Sequence, residues 1–224
     1  KGSGMIKPDM ATMLGFVVTD ASIAQPLLQQ LLRETVDRSF NCITVDSDTS
    51  TNDACMLAAT GQSAVIETDD AITAFRSALQ RVMTTLAQAI IRDGEGATKF
   101  VTLQVDKAQT RQEALDVAFT VAHSPLVKTA LYASDANWGR ILAAVGRAPV
   151  ADFDVNRVVI DLDEVRIVEN GGRASGYSEE AGSAVMAREE ITIAITLGRG
   201  EQSATVWTSD LSHEYVTINA DYRS

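Results

Sequence analysis

The residues best placed to do chemistry lie at the start of the chain, in Lys1-Gly2-Ser3-Gly4-Met5-Ile6-Lys7-Pro8-Asp9-Met10-Ala11-Thr12-Met13-Leu14. A Gly/Ser run, which reads as flexible, and a proline lead to Ala11 and Thr12. Thr12 then opens the apolar run Met13-Leu14-Gly15-Phe16-Val17-Val18, the pattern of a buried strand. If the Ala11–Thr12 peptide bond is cut, Thr12 gains a free α-amine beside its own hydroxyl. Such an amine titrates near pH ~8 and can act as general base for the hydroxyl, the N-terminal threonine form of nucleophile activation. Taken alone, Thr12 reads as an ordinary threonine at a strand start, as most such threonines are.

Other clusters bear on the same chemistry. Asp46, Asp48, Ser50 and Asp53 suggest a calcium loop, but the sixth and twelfth places hold Thr51 and Leu57 instead of glycine and glutamate. A strand-to-helix turn with Ser50 or Thr51 as helix cap explains this segment, and backbone donors at that helix start could support an active site. Gly94-Glu95-Gly96-Ala97-Thr98-Lys99 lacks the glycine spacing of a phosphate loop and places Thr before Lys, which argues against nucleotide binding. Glycines on both sides of Glu95 leave its carboxylate accessible, which suits a substrate ammonium. A helix C-cap at Gly94 beside a solvated Glu95 accounts for the same residues. His123 and His213 are the two histidines, and no Gly-x-Ser-x-Gly elbow is present. His123, before Ser124-Pro125, reads as a helix-end residue. Acyl-transfer chemistry in this chain therefore needs a base other than histidine, and the Thr12 amine supplies one.

Four segments together resemble the ornithine acetyltransferase family, the bifunctional arginine-biosynthesis acetyltransferases. They are Met10-Ala11-Thr12-Met13-Leu14, Asp46-Ser47-Asp48-Thr49-Ser50-Thr51-Asn52-Asp53, Asp93-Gly94-Glu95-Gly96-Ala97-Thr98-Lys99 and Ile218-Asn219-Ala220-Asp221-Tyr222-Arg223-Ser224. They run from one end of the chain to the other. The resemblance implies that a precursor cuts itself between Ala11 and Thr12, and that Thr12 becomes the acetyl-carrying nucleophile. Residues 1–11 would be the tail of a first chain and 12–224 the second, so a large N-terminal partner chain is expected. It also implies that Lys1, Thr12, Glu95, Asn219 and Ser224 bind substrate, with the C-terminal tail folding back into the site. Ser224 departs from the threonine common at that end in the family but keeps the hydroxyl. A Thr-Gly pair on the first chain is expected to form the oxyanion hole. No metal or organic cofactor is implied.

The expected reaction is acetyl transfer from N-acetyl-L-ornithine to L-glutamate by a ping-pong route, with acetyl-CoA as a further donor left open. The expected assembly is a heterotetramer of two first and two second chains. Two rival readings use the same residues: an N-terminal-nucleophile aminopeptidase or amidase with water as acceptor, and an uncut, noncatalytic assembly subunit.

The elements that must position these groups are of mixed type. Strands are expected at Met13–Thr19, Cys42–Val45 and Phe100–Val105, then at Val158–Leu162, Val165–Val168, Ile191–Leu197 and Ala204–Thr208. Helices are expected after Ser22, through Ala54–Ala58, after Thr68 through Ile90, from Thr110 to Val121, over Leu126–Tyr132 and Trp138–Val145, and over Ser178–Arg188. A domain boundary is placed near Ser124, giving 12–123 and 124–224. The pattern gives an α/β or α+β fold. The resemblance implies an α-β-β-α sandwich around the nucleophile, with a smaller C-terminal α/β domain.

Composition is that of a globular protein, with 46% hydrophobic and 22% charged residues. A net charge of −11 argues against nucleic acid or an anionic membrane as partner. No stretch reads as a spanning helix or a signal peptide. Cys42 and Cys55 show neither metal spacing nor a disulfide framework, which fits reduced, buried thiols in a cytoplasmic protein.

Overall fold

The computed structural model describes residues 3–7, 13–49 and 52–221 of the 224-residue chain. Their contacts gather into two compact units, Met5–Ile90, and Lys1–Gly4 together with Ile91–Ser224.

In the first unit, β1 (Leu14–Thr19) is followed by α1 (Gln25–Val36), the short β2 (Ile43–Thr44) and β3 (Ala54–Ala59). β3 lies parallel to β1, with Leu14 opposite Ala54 and Thr19 opposite Ala59. A parallel pair needs a long crossover, and α1 provides it while packing on β3. The helix expected at Ala54–Ala58 is therefore a strand. Its Ala-Cys-Met-Leu-Ala-Ala sequence favours helix weakly, but six residues cannot hold a helix alone, and pairing with β1 satisfies their backbone. Ser50 and Thr51, the expected caps of that helix, lie outside the described residues.

Ser22 does not cap α1 either. Its N–H donates to the Ala64 carbonyl (2.8 Å) and its own carbonyl accepts from Ile66 N–H (2.9 Å). Pro26, whose fixed φ suits a first helical turn, sets the start of α1 instead. α2 (Asp69–Arg92) begins as expected: Thr68 Oγ1 accepts from Ala71 N–H (3.3 Å), with Asp69 and Asp70 in the first turn.

The second unit contains β4 (Phe100–Ala108), α3 (Arg111–Ala122), α4 (Pro125–Tyr132) and α5 (Trp138–Gly146). It continues with β5 (Val159–Leu162), β6 (Val165–Glu169), β7 (Gly172–Arg173), α6 (Glu179–Met186), β8 (Glu190–Thr196), β9 (Gln202–Ser209) and α7 (His213–Asp221). Its strands lie in the order β9-β4-β8-β5-β6-β7. β4 and β8 run parallel, and the other neighbours run antiparallel.

Alternate residues of the central strands are fully buried, among them Val101, Leu103 and Val105 of β4 and Ile191, Ile193 and Ile195 of β8. They share one core with Val117 and Val121 of α3 and Val145 of α5. That common core is why the compact units divide at Ile90/Ile91 and not near Ser124. α3 and β4 precede Ser124, yet α3 packs on α4, α5 and β9, and β4 on β8 and β9, all of which follow it. The expected mixed α/β class is the class observed.

Candidate active site

Glu95 stands in the turn between α2 and β4, half-buried. Gly94 N–H donates to the Ile91 carbonyl (3.1 Å), two residues past the end of α2. Glu95 N–H then donates to the Ser3 carbonyl (3.0 Å), and Ser3 N–H to the Asp93 carbonyl (2.6 Å). Ser3, expected within a flexible run, is thus hydrogen-bonded alongside Gly94 like a strand partner. Gly4 lies directly against the glutamate. A Cβ built there would fall 2.5 Å from Glu95 Oε2 and 2.9 Å from Oε1.

The C-terminal helix reaches the same carboxylate. Asn219 Nδ2 donates to Glu95 Oε2 (2.8 Å) and to the Tyr215 carbonyl (3.0 Å). The first bond joins residues 124 positions apart. Three groups set this meeting. Asp210, 4% exposed at the end of β9, accepts from Thr98 N–H (2.8 Å), Thr98 Oγ1 (2.6 Å) and Lys99 N–H (3.0 Å). Ser212 Oγ donates to the Gly96 carbonyl (2.6 Å) and accepts from Tyr215 N–H (3.2 Å), which caps α7. Gly96 has φ +62°, and a Cβ there would lie 2.5 Å from Tyr215 N. Only glycine fits that conformation and that approach without strain. The 94–99 turn is fastened to the start of α7, and α7 carries Asn219 to Glu95.

Of the expected site residues, Glu95 and Asn219 are brought together. Lys1, Ala11, Thr12 and Ser224 lie outside the described residues. Sequence reasoning missed Ser3, Gly4, Asp210 and Ser212, which look like ordinary linker and surface residues.

The first unit holds the neighbours of the Thr12 position in sequence. Met13 is buried, and its carbonyl accepts from Ala54 N–H (2.8 Å). Asp53, half-buried just ahead of β3, has both carboxylate oxygens shielded and without a hydrogen-bond partner among the described residues. Burial pushes its carboxyl up to about 6. Asp46 has a structural role: its carboxylate accepts from Met5 N–H (2.8 Å) and Ile6 N–H (3.0 Å). Cys42 is buried, its thiol donating to the Asp37 carbonyl (3.3 Å), and Cys55 is half-buried, where burial raises its thiol; neither forms a disulfide.

His123 ends α3, with its ring 5.4 Å from Phe119, and His213 sits edge-on to Tyr132 at 5.4 Å. A cavity of about 480 Å³ is lined by Arg92, Lys99, Phe100, Glu189 and Glu190 among others, and by none of the expected site residues. Among the described residues no group of three or more His, Cys, Asp or Glu could hold a metal ion. No described helix is long and apolar enough to cross a membrane.

The fold is a mixed α/β fold that resembles the N-terminal-nucleophile enzymes. The chain belongs to the ArgJ family, whose model it matches over residues 1–224. It is 58% identical over 228 residues to the arginine biosynthesis bifunctional protein ArgJ of Pseudomonas fluorescens (strain Pf0-1), and 60% identical over 228 residues to that of Psychrobacter arcticus. Each match takes in 100% of this chain and 56% of the relative, so the chain spans little more than half the length of these curated relatives. The crystal structure of the arginine biosynthesis bifunctional protein argJ from Bacillus halodurans superimposes with a TM-score of 0.88 at 38% identity, covering 94% of this chain and 100% of that one.

Proposed function

We propose that this chain carries the nucleophile of an acetyltransferase that moves the acetyl group of N-acetyl-L-ornithine to L-glutamate through an acetyl-Thr12 ester. Self-cleavage between Ala11 and Thr12 creates the nucleophile. The Thr12 amine takes the hydroxyl proton, the oxygen attacks the acetamide carbon, and ornithine leaves with that proton on its amine. Glutamate's amine then attacks the ester and restores the threonine. Glu95 and Asn219, with Lys1 and Ser224, hold the amino-acid part of the substrate. A Thr-Gly pair on the preceding chain stabilises the tetrahedral oxyanion.

The meeting of Glu95 Oε2 with Asn219 Nδ2 at 2.8 Å supports this reading most directly. A carboxylate and an amide from distant parts of the sequence face one another, as a zwitterionic substrate requires. The need for a partner chain has its own support. Leu14, Phe16 and Val18 of β1 and Met56 of β3 share one face of a two-stranded parallel pair, and they are 66, 64, 70 and 54% exposed. Parallel sheets are normally covered on both faces. The proposed assembly, two copies of each chain in the cytoplasm, would cover this one.

Supplying the full-length protein with N-acetylornithine, with and without glutamate, tests the reading. Rapid N-acetylglutamate formation with glutamate, and little free acetate without it, is the expected result. Acetate release independent of glutamate would instead make the protein an amidase. No turnover in either arm would leave an assembly subunit and sink the proposal.

A further inference from the structure

Asn219 reaches Glu95 on a helix that core packing does not place. No residue of α7, His213–Asp221, is buried. Its first residue, His213, meets the Tyr132 ring edge-on, with centroids 5.4 Å apart. At 9 residues it is also too short to be stable alone, since isolated helices under about 12 residues barely form in water. Yet Asn219 Nδ2 stands 2.8 Å from Glu95 Oε2. Something ahead of α7 must fix that distance.

The segment before α7 is firmly held. Ser209 of β9 lies opposite Phe100 of β4. Lys128, 5% exposed in α4, donates from Nζ to Thr208 Oγ1 (3.2 Å) and to the Ser209 carbonyl, and its own carbonyl accepts from Leu211 N–H (3.2 Å). Asp210 then takes the N–H groups of Thr98 and Lys99 and the Thr98 hydroxyl. Residues 208–211 and the turn that bears Glu95 thus form one frame.

Ser212 is the joint between that frame and α7. It is 4% exposed. Its Oγ donates to the carbonyl of Gly96, next to Glu95, and accepts from Tyr215 N–H in the first turn of α7. One hydroxyl both caps the helix and ties its start to the Glu95 turn. About two helical turns further on, Asn219 comes level with the carboxylate.

We propose that Ser212 is a positioning residue for substrate binding, which acts by setting Asn219 against Glu95. That role rests on the reading of Glu95 and Asn219 as the substrate-holding pair. Ser212→Ala removes both bonds without adding bulk, so α7 loses its cap and its tie to Gly96 together. The pair grips the amino-acid part of the substrate alike before and during the reaction, so the loss falls on KM and not on kcat.

Steady-state kinetics of the full-length, processed protein test this with Ser212→Ala, Asn219→Ala and the double variant. Ser212→Ala should raise the KM for N-acetylornithine about fivefold, the equivalent of one lost helix cap, with kcat within about twofold of wild type. Asn219→Ala should raise the KM about tenfold. The double variant should stay within about twofold of Asn219→Ala, because Ser212 works through Asn219. A serine with only a structural role would lower Tm and leave KM alone. An unchanged KM in Ser212→Ala beside a raised KM in Asn219→Ala would overturn the proposal. So would a double variant whose KM rise is the product of the two single rises. An unchanged KM in Asn219→Ala would refute the reading of the substrate-holding pair itself, and the role of Ser212 with it.

Discussion

Gly4→Ala should damage substrate binding while leaving the fold almost untouched. A Cβ on Gly4 would stand 2.5 Å from Glu95 Oε2, 2.7 Å from Cδ and 2.9 Å from Oε1. Comfortable carbon–oxygen contacts begin near ~3.3 Å, so the carboxylate must retreat by roughly 0.5–1 Å. Asn219 is bonded to the same oxygen at 2.8 Å, and such bonds weaken beyond about 3.2 Å. A hydrogen bond to a charged group contributes about 1.5–3 kcal/mol, reduced here to about 1 kcal/mol because this pair is exposed. A substrate ammonium held by the same carboxylate should lose a similar amount. The expected outcome is a roughly five- to tenfold rise in the KM for N-acetylornithine, with little change in kcat. The moving group is the far end of a flexible side chain, so Tm should shift by less than about 2 °C. Steady-state kinetics and a thermal melt of the full-length variant supply both readouts. An unchanged KM in a well-folded, fully processed Gly4→Ala protein would refute the idea that Glu95's position governs substrate binding.

Thr12→Ala should leave an uncut precursor without transferase activity, and Thr12→Ser should keep part of both functions, as intact mass and a transfer assay will show. Glu95→Gln should raise the KM for N-acetylornithine about tenfold or more while processing continues normally, since the substituted group holds substrate and takes no part in the cut. Residues 12–224 produced without the preceding chain should be insoluble or inactive. In the full-length protein, Phe16→Asp should reduce the soluble, assembled fraction on size-exclusion chromatography, because covering each large side chain of that face contributes about 2 kcal/mol. Normal assembly of Phe16→Asp would show that the face stays open.

Elements governed by neighbouring residues were legible in the sequence. Thr68 caps α2 as expected, β4 alternates buried and exposed residues through Val105, and His123 ends α3. β3 was misread because its six residues suit a helix locally, and only pairing with β1 makes them a strand. The candidate site was legible as residue types and not as a constellation. Glu95 stood out through its flanking glycines, and Asn219 through its family segment. Their meeting depends on Asp210 and Ser212, two common polar residues whose partners lie more than a hundred positions away. Ser3 and Gly4 looked like linker because Gly/Ser composition carries no sign of the carboxylate packed against it.

The central claim is that Thr12 carries the acetyl group. Brief incubation of the full-length, processed protein with N-acetylornithine and no glutamate, followed by acid quenching and intact mass spectrometry, tests it directly. The chain beginning at Thr12 should gain the mass of one acetyl group, located on Thr12 by fragmentation, and adding glutamate before the quench should remove it. A chain that is never acetylated while N-acetylglutamate still forms would contradict the account.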